Sequence, residues 1–354
     1  MSGRRPPSLD RREFLAAGGG GLVLCTLGGQ KVFTDREADL EALNREIEVP
    51  PKVRDAAAAA PAGSQATLAT ARADGSRREY WLTAEAVKWD AVPNGRDQMT
   101  GKKVKQKSKF TAYGYRGWTQ GFAQPLTRKP TIPGPLIDCT VGDTVVVNFR
   151  NETSTPVTIH PHGIRYTVEM DGAYKGKWTD PGGFVQPGET FQYAWEATPG
   201  TEGFWIYHDH GPMDPVPVYK GLFGPMLVRA AGAPRPDREL FCFFHSWQPV
   251  ATGLDTVFYA VNGKAYAGNT PSFKANVGDR VAWHLCAIDS DFHTFHIHGH
   301  RWEDAGGEIR DNVTIGPGDT YSLSYVEDNP GRWFYHCHVF THLHGGMNGW
   351  YLVE

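Results

Sequence analysis

Tyr335-His336-Cys337-His338-Val339-Phe340-Thr341-His342, followed by Met347, is the stretch whose reading decides what kind of chain this is. One cysteine, a histidine five residues later and a methionine five beyond that are the ligand types of a blue copper site. There a soft thiolate and two imidazoles lie in a plane and a thioether is weakly axial. The histidines on either side of Cys337 need a further explanation. Side chains alternate along a strand, so Cys337 points one way while His336 and His338 point the other. A strand here serves two metal centres on opposite faces, joined by a few covalent bonds, and the stretch is therefore predicted to be β.

The same spacing recurs three times, in His160-Pro161-His162-Gly163, His208-Asp209-His210 and His296-Ile297-His298-Gly299. On strands each pair projects two imidazoles from one face. One such pair is weak evidence of a metal site. Four of them, one around a cysteine with His and Met following at blue-copper spacing, are not explained by packing. The four pairs supply His160, His162, His208, His210, His296, His298, His336 and His338. Eight imidazoles match a three-copper cluster, with three for each ion of a coupled pair and two for the third. His293 remains to complete the blue site with Cys337, His342 and Met347.

The chain also repeats itself. Val141-Gly142-Asp143, His160 and His162 return 136 positions on (141 to 277, 160 to 296) as Val277-Gly278-Asp279, His296 and His298. Gln186-Pro187-Gly188-Glu189-Thr190, Pro199-Gly200 and Tyr207-His208-Asp209-His210 are matched by Gly316-Pro317-Gly318-Asp319-Thr320, Pro330-Gly331 and Tyr335-His336-Cys337-His338. Between these blocks lie short β-branched or aromatic runs bounded by Gly, Pro and Asp, such as Thr144 to Phe149 and Tyr321 to Val326. The pattern predicts an all-β protein of two Greek-key β-sandwiches, with a linker from Ala230 to Arg238. In the first copy Asp209 stands at the position of Cys337 and Val157 at that of His293. The first domain is thus expected to hold no blue copper and to use its histidine pairs at an interface.

Composition agrees. The 354 residues include 41 Gly, 25 Pro and 12% aromatics, which suits strands joined by many turns, and the length allows two domains. A formal charge of −3 gives no reason to expect nucleic acid or an acidic polymer as a partner. Five cysteines do not make a disulfide framework; with Cys25 near the N-terminus and Cys337 claimed by metal, Cys139, Cys242 and Cys286 are read as buried thiols. Asp10-Arg11-Arg12-Glu13-Phe14-Leu15, with the glycine-rich apolar run from Ala16 to Gly29, reads as a twin-arginine signal within residues 1–30. The run is too short and too weakly apolar for a stable membrane span. Residues 31–65 read as a charged, then alanine-rich extension, with a short helix over Asp35–Glu48. The domains are expected at 66–231 and 232–354.

With these motifs in order, the chain resembles the multicopper oxidases, most closely the bacterial two-domain small laccases, over roughly Arg78 to Glu354. The resemblance implies cupredoxin-type domains and four coppers per subunit. It implies oxidation of a reductant at the type 1 copper and reduction of dioxygen to water at a trinuclear cluster. By motif match, His293, Cys337, His342 and Met347 hold type 1 copper. His160 and His296 hold type 2. His162, His208 and His338 hold one type 3 ion, and His210, His298 and His336 the other. The same resemblance makes Tyr166 a redox or proton donor beside type 2 and Asp171 a proton relay. It also implies a homotrimer whose clusters lie between domain 1 of one subunit and domain 2 of the next.

The expected activity is laccase-like oxidation of phenols and aromatic amines by dioxygen, in a protein exported to the periplasm or outside the cell. Ferrous or cuprous ion oxidation is the alternative. With six Met and no cluster of them around Met347, a methionine-rich cuprous site is absent, whereas ferrous oxidation needs only a few carboxylates near the type 1 site. A storage protein has no use for the Cys337 bridge, and a simple carrier none for eight further histidines. Asp209 is expected to orient its neighbours, His300 and His344 to lie at the surface more than behind the ligands or facing substrate, and electrons to arrive through an exposed edge of His293 or His342. The lysines from Lys102 to Lys109 read as a solvated loop.

Overall fold

The computed structural model describes residues 76–177 and 181–354, together with a short antiparallel pairing of Thr26–Leu27 with Gln30–Lys31. Apart from that pairing, the twin-arginine stretch, the extension and the helix expected over Asp35–Glu48 lie outside the described residues. Contacts group the chain into Met1–Glu46 and Ile47–Glu354, and both sandwiches belong to the second unit.

The first sandwich comprises β1 (Arg77–Asp90), β2 (Lys109–Trp118), β3 (Ile137–Thr140), β4 (Thr144–Glu152), β5 (His160–Pro161), β6 (Thr190–Glu196), β7 (Gly203–His208) and β8 (Phe223–Arg229). Its sheets run β2-β1-β4-β6 and β3-β8-β7-β5. The second comprises β9 (Arg238–Trp247), β10 (Phe258–Val261), β11 (Ser272–Ala275), β12 (Arg280–Ala287), β13 (His293–Ile297), β14 (Trp302–Glu303), β15 (Ile309–Arg310), β16 (Asn312–Ile315), β17 (Thr320–Val326), β18 (Gly331–Cys337) and β19 (Asn348–Val353). Its main sheets run β10-β9-β12-β17 and β11-β19-β18-β13-β16.

The internal repeat is visible in the pairings. β1 runs parallel to β4 as β9 does to β12, and β3 parallel to β8 as β11 does to β19. β4 sends Val145, Val147 and Phe149 into the first core, as its β-branched run predicts. One detail of the repeat differs from expectation. The counterpart of Gly331 is Gly203, not Gly200: the two have φ near +145° and +149°, and each precedes by two residues a tryptophan. Trp205 and Trp333 donate their indole N–H to the carbonyls of Thr201 and Asn329, each at 2.7 Å. The loop ahead of β7 is longer, and the ladder, not the Pro-Gly pair, sets the register.

Each sandwich has its own core, built on Trp195, Tyr193 and Phe149 in the first and on Trp283, Phe295, Tyr335 and Tyr351 in the second. A third apolar cluster joins them. Trp89, Phe110, Phe204 and Phe223 from the first sandwich meet Phe243, Trp247 and Phe258 from the second, with Phe223 stacked on Phe243 at 5.6 Å. Each such ring contributes about 1.5–3 kcal/mol on burial, so this contact holds the two sandwiches as one unit. Arg229 adds a polar clasp, reaching Asp138 at 2.7 Å and Glu239 at 2.8 Å. Cys139, Cys242, Cys286 and Cys337 are buried free thiols. The lysine loop from Lys102 to Lys107 is largely exposed, and no described helix is long and apolar enough to cross a membrane.

Candidate metal centre

β13 and β18 pair antiparallel, setting Phe295 opposite Cys337 and His296 opposite His336. Alternation does the rest. His293, Phe295 and Ile297 turn inward from β13, while His296 remains half exposed. Cys337 is fully buried, His338 is exposed, and the rings of His336 and His338 lie 5.4 Å apart. The strand therefore presents a thiol to the core and two imidazoles to the opposite side.

Inside, ligand atoms of His293, Cys337 and His342 lie within 4.8 Å of one another. Cys337 Sγ is 3.9 Å from His293 Nδ1 and 3.6 Å from His342 Nδ1, and the two nitrogens are 3.2 Å apart. His342 comes from the short helix Phe340–His344, which turns the chain back so that Met347 is buried between backbone hydrogen bonds to Cys337 and His342. Burial works to raise the Cys337 thiol, but hydrogen bonds from His293 and His342 outweigh it and lower its pKa to about 6. Burial opposes the charge on His293, yet its hydrogen bonds to Asp289 and Cys337 raise it to about 9. A thiolate beside a cation is thus favoured in this pocket, and a soft metal ion meets the same demand.

On the outer faces the histidines form two sets, one per sandwich. His160, His162 and His208 have ligand atoms within 4.8 Å of one another, and so do His296, His298 and His336. His210 joins the first through ring contacts with His160 (5.2 Å) and His208 (5.7 Å), and His338 joins the second through His296 (5.7 Å) and His336. His160 faces His208 across its ladder just as His296 faces His336. The glycine that ends each His-x-His-Gly is required at its place. Gly163 and Gly299 have φ of +67° and +73°, and a Cβ would lie 1.9 Å from the Trp205 ring and 2.7 Å from that of Trp333. Gly163→Ala should cost about 1–3 kcal/mol of stability and loosen His162; calorimetry together with metal titration checks this. An unchanged melting temperature would sink the packing argument.

Four of these imidazoles are tied by Nδ1 to a main-chain carbonyl: His160 to Asp171 (2.7 Å), His208 to Asp209 (2.6 Å), His296 to Asp311 (2.7 Å) and His336 to Cys337 (2.9 Å). The carbonyl holds the proton on Nδ1 and leaves the Nε2 lone pair for a metal. Nε2 of His162 lies 3.0 Å from that of His208, and Nε2 of His298 lies 3.2 Å from that of His336. Burial is the main cause that lowers the pKa of His162 and His336 to about 4 and of His208 to about 3, so these rings are neutral at physiological pH. Imidazoles held neutral or oriented by a carbonyl in this way are the donors that copper takes.

Among the described residues no ligand group combines the two sets. The first set instead abuts the 316–319 turn of the second sandwich, where a Cβ on Gly318 would be 3.9 Å from His162 Cε1. A cavity of about 170 Å³ opens there between the sandwiches, lined by His208, Asp214, Tyr219, Asp289 and Ser290 among others.

Asp171 lies where a role beside His160 requires it. Its Oδ1 is 3.0 Å from His160 Nδ1, and its Oδ2 is 2.7 Å from Lys175 Nζ. The Tyr166 ring meets His160 edge-on at 5.9 Å; burial chiefly, and then Asp171, push its hydroxyl pKa up. Asp209, fully buried, takes over the contacts that Cys337 makes in the other copy. It accepts the Thr158 N–H at 2.7 Å, as Cys337 Sγ accepts that of Thr294 at 3.4 Å, and Val157 is buried beside it. The first sandwich thus has the shape of the pocket without its ligands.

One expectation fails and one either-or is narrowed. His300 is not at the surface: it is buried, with Nε2 3.0 Å from Glu327 Oε1 and Nδ1 2.8 Å from the His298 carbonyl. A buried carboxylate, itself held by Tyr351 and by the backbone of Asp328 and Asn329, draws the imidazole inward and braces the His298 turn. His293 has no exposed edge, being fully buried with Nε2 2.9 Å from Asp289 Oδ1. Only His342 approaches the surface, its Nε2 4.0 Å from Asp291 Oδ2. Asp289, Asp291, Tyr259 and Glu327 were not singled out in the sequence. The pair Asp289 and Asp291 just ahead of His293 was the one available signal.

Two sequence-family models, each described as Multicopper oxidase, match residues 105–232 and 244–354. A probable nitrite reductase-hydroxylamine oxidoreductase fusion protein of Kuenenia stuttgartiensis is 34% identical over 64% of this chain and 28% of its own length. The human Ferroxidase HEPHL1 is 27% identical over 78% of this chain and 29% of its own length. The chain thus spans under a third of the length of these curated relatives. Among solved structures, the blue copper oxidase from Nitrosomonas europaea has a TM-score of 0.60 and 26% identity, covering 78% of this chain and 86% of that one. Together with the two cupredoxin-like sandwiches and their histidine sets, these matches place the chain in a family of copper-binding oxidoreductases: it belongs to the multicopper oxidases.

Proposed function

We propose that the protein is a laccase-like oxidase that takes single electrons from phenols and aromatic amines and passes them to dioxygen. The observation that carries this reading is the single strand on which Cys337 faces the buried Cys-His pocket while His336 and His338 join the outer set. Copper bound at these sites supplies one-electron oxidation of the reductant and, once four electrons and four protons are gathered, reduction of dioxygen to two waters. The donors point to four coppers: one with His293, Cys337, His342 and Met347, and three among the eight remaining histidines.

The chain's own atoms suit that task. The backbone from Cys337 to His336 and His338 is a short covalent path between the two sites. Asp171 and Tyr166 stand beside His160 and are the candidates to deliver protons, with Lys175 linking Asp171 to solvent. The separation of the two histidine sets supports a cluster completed by a second copy, and the homotrimer of the small laccases is the assembly we favour. Export by the twin-arginine route is the localisation proposed from Arg11-Arg12.

Ferrous ion oxidation is the second reading. It is favoured by Asp291, whose half-exposed carboxylate lies 4.0 Å from His342 Nε2, and by the likeness to a protein named as a ferroxidase. Dioxygen uptake with guaiacol, p-phenylenediamine, ferrous and cuprous ions separates these. Turnover several-fold faster with the aromatic donors is expected; uptake sustained by ferrous ion alone would replace the first reading by the second, and no uptake with any donor would leave a carrier or storage protein.

A further inference from the structure

His342 is the only imidazole of the Cys337 pocket that reaches towards solvent, and a tyrosine lies flat against it. Tyr259, in the edge strand β10, stacks its ring on His342 at 4.2 Å between centroids and 20° between planes. The ring is half exposed and packs at the margin of the second core. A reductant that comes over the stacked face of His342 therefore meets the Tyr259 ring, with the Asp291 carboxylate at the imidazole edge.

The position of that ring is built into the chain. Gly345 and Gly346 stand between two of the pocket's donors, His342 and Met347. Gly345 has φ −83° and ψ 0°, a conformation open to any residue, so its backbone does not call for glycine. Space does: a Cβ there would lie 2.4 Å from Tyr259 Cδ2, and also 2.9 Å from the Thr341 carbonyl oxygen. At Gly346 a Cβ would be 3.0 Å from the Tyr259 carbonyl oxygen. The Tyr259 N–H donates to the Gly345 carbonyl at 3.2 Å, locking strand to loop. Helix end and edge strand are shaped to press this ring on His342.

We propose that Tyr259 is a specificity-determining residue: its ring, fixed against His342, is the platform on which flat aromatic reductants dock. This rests on the laccase-like reading and refines it. A docked phenol would give one electron by way of His342 to the oxidised copper that the Cys337 pocket would hold, and its proton to water, becoming a phenoxyl radical (ArOH + Cu(II) → ArO• + H⁺ + Cu(I)). Tyr259 remains an intact phenol throughout and contributes contact area and alignment.

The test is anaerobic reduction of the copper-loaded protein, followed as bleaching of its blue absorption in a stopped-flow instrument. The donors are guaiacol, which is aromatic, and hexacyanoferrate(II), which has no ring to stack. Tyr259→Leu should slow bleaching by guaiacol about three- to tenfold, the size of one aromatic stacking contact, and that by hexacyanoferrate(II) less than twofold. Tyr259→Phe should keep the wild-type preference. Gly345→Ala, which displaces the ring without altering it, should reproduce the selective loss and serves where the leucine variant holds copper poorly. The blue spectrum and type 1 reduction potential of Tyr259→Phe should match the wild type. Equal slowing with both donors would assign Tyr259 a structural role and overturn the proposal, and so would unchanged rates. If guaiacol bleaches the wild type but the variants are uniform, this inference alone falls. If guaiacol does not bleach the wild type at all, the laccase-like reading falls with it.

Discussion

Replacing Cys337 by serine should remove the intense blue colour and bring oxidase turnover to background, while the fold and the eight outer histidines stay in place. The colour belongs to a thiolate–copper bond that a serine oxygen does not form. The effect on turnover follows from the strand. Cys337 is the covalent junction between the buried pocket and His336 and His338, and among the described residues no other side chain of the pocket lies on that path. The fold should survive because serine fits where the thiol was. Its cost is one buried hydroxyl, about 1–3 kcal/mol, against a core carrying Trp283, Phe295, Tyr335 and Tyr351. Visible and EPR spectra with calorimetry read both halves. Retained blue absorption would remove Cys337 from the site, and collapse of the fold would remove the argument that its role is electronic.

Mixing subunits should give the second large effect. His160→Ala breaks the first histidine set, and Cys337→Ser breaks the second sandwich's path. Each variant alone is expected to be inactive. Should clusters form between domain 1 of one copy and domain 2 of the next, co-expression restores some complete sites, because the Cys337→Ser chain brings an intact first set and the His160→Ala chain an intact second sandwich. Phenol oxidation rising well above either single variant is the expected result. The structural motive is the absence, among the described residues, of a ligand group uniting the two sets, although the two sandwiches are firmly packed together. That packing leaves little freedom for the sets to meet by domain motion. No rescue in verified mixed assemblies would count against a cluster shared between subunits, though not against the oxidase.

Much of this was legible in the chain because the relevant information is local. A strand's two-residue period alone places Cys337 on one face and His336 and His338 on the other, and the same rule applies to His160 with His162 and His296 with His298. The repeat, read through Val141-Gly142-Asp143 and Val277-Gly278-Asp279, indicated two like sandwiches, and Val157 and Asp209 indicated that the first lacks the residue types of the Cys337 pocket. Strand type and the face from which each candidate ligand projects were thus legible from residues within a few positions of each other, and the likeness of the two sandwiches from direct repetition.

What only the tertiary structure decided are contacts between segments far apart in sequence. Asp289, four residues ahead, closes off His293 locally, but which face His342 keeps free depends on Tyr259, which arrives from a strand more than eighty residues earlier. His300 was expected at the surface because nothing adjacent to it signals burial; Glu327, brought in by the neighbouring strand, supplies the partner that makes burial possible. The carbonyls that fix the tautomers of His160 and His296 belong to Asp171 and Asp311, turns whose course no local pattern specifies. The two histidine sets likewise look like one cluster in the sequence, since spacing records which way a side chain points from its strand but not how far apart two strands finish. That distance is set by the aromatic packing between the sandwiches, and packing is a property of the whole fold.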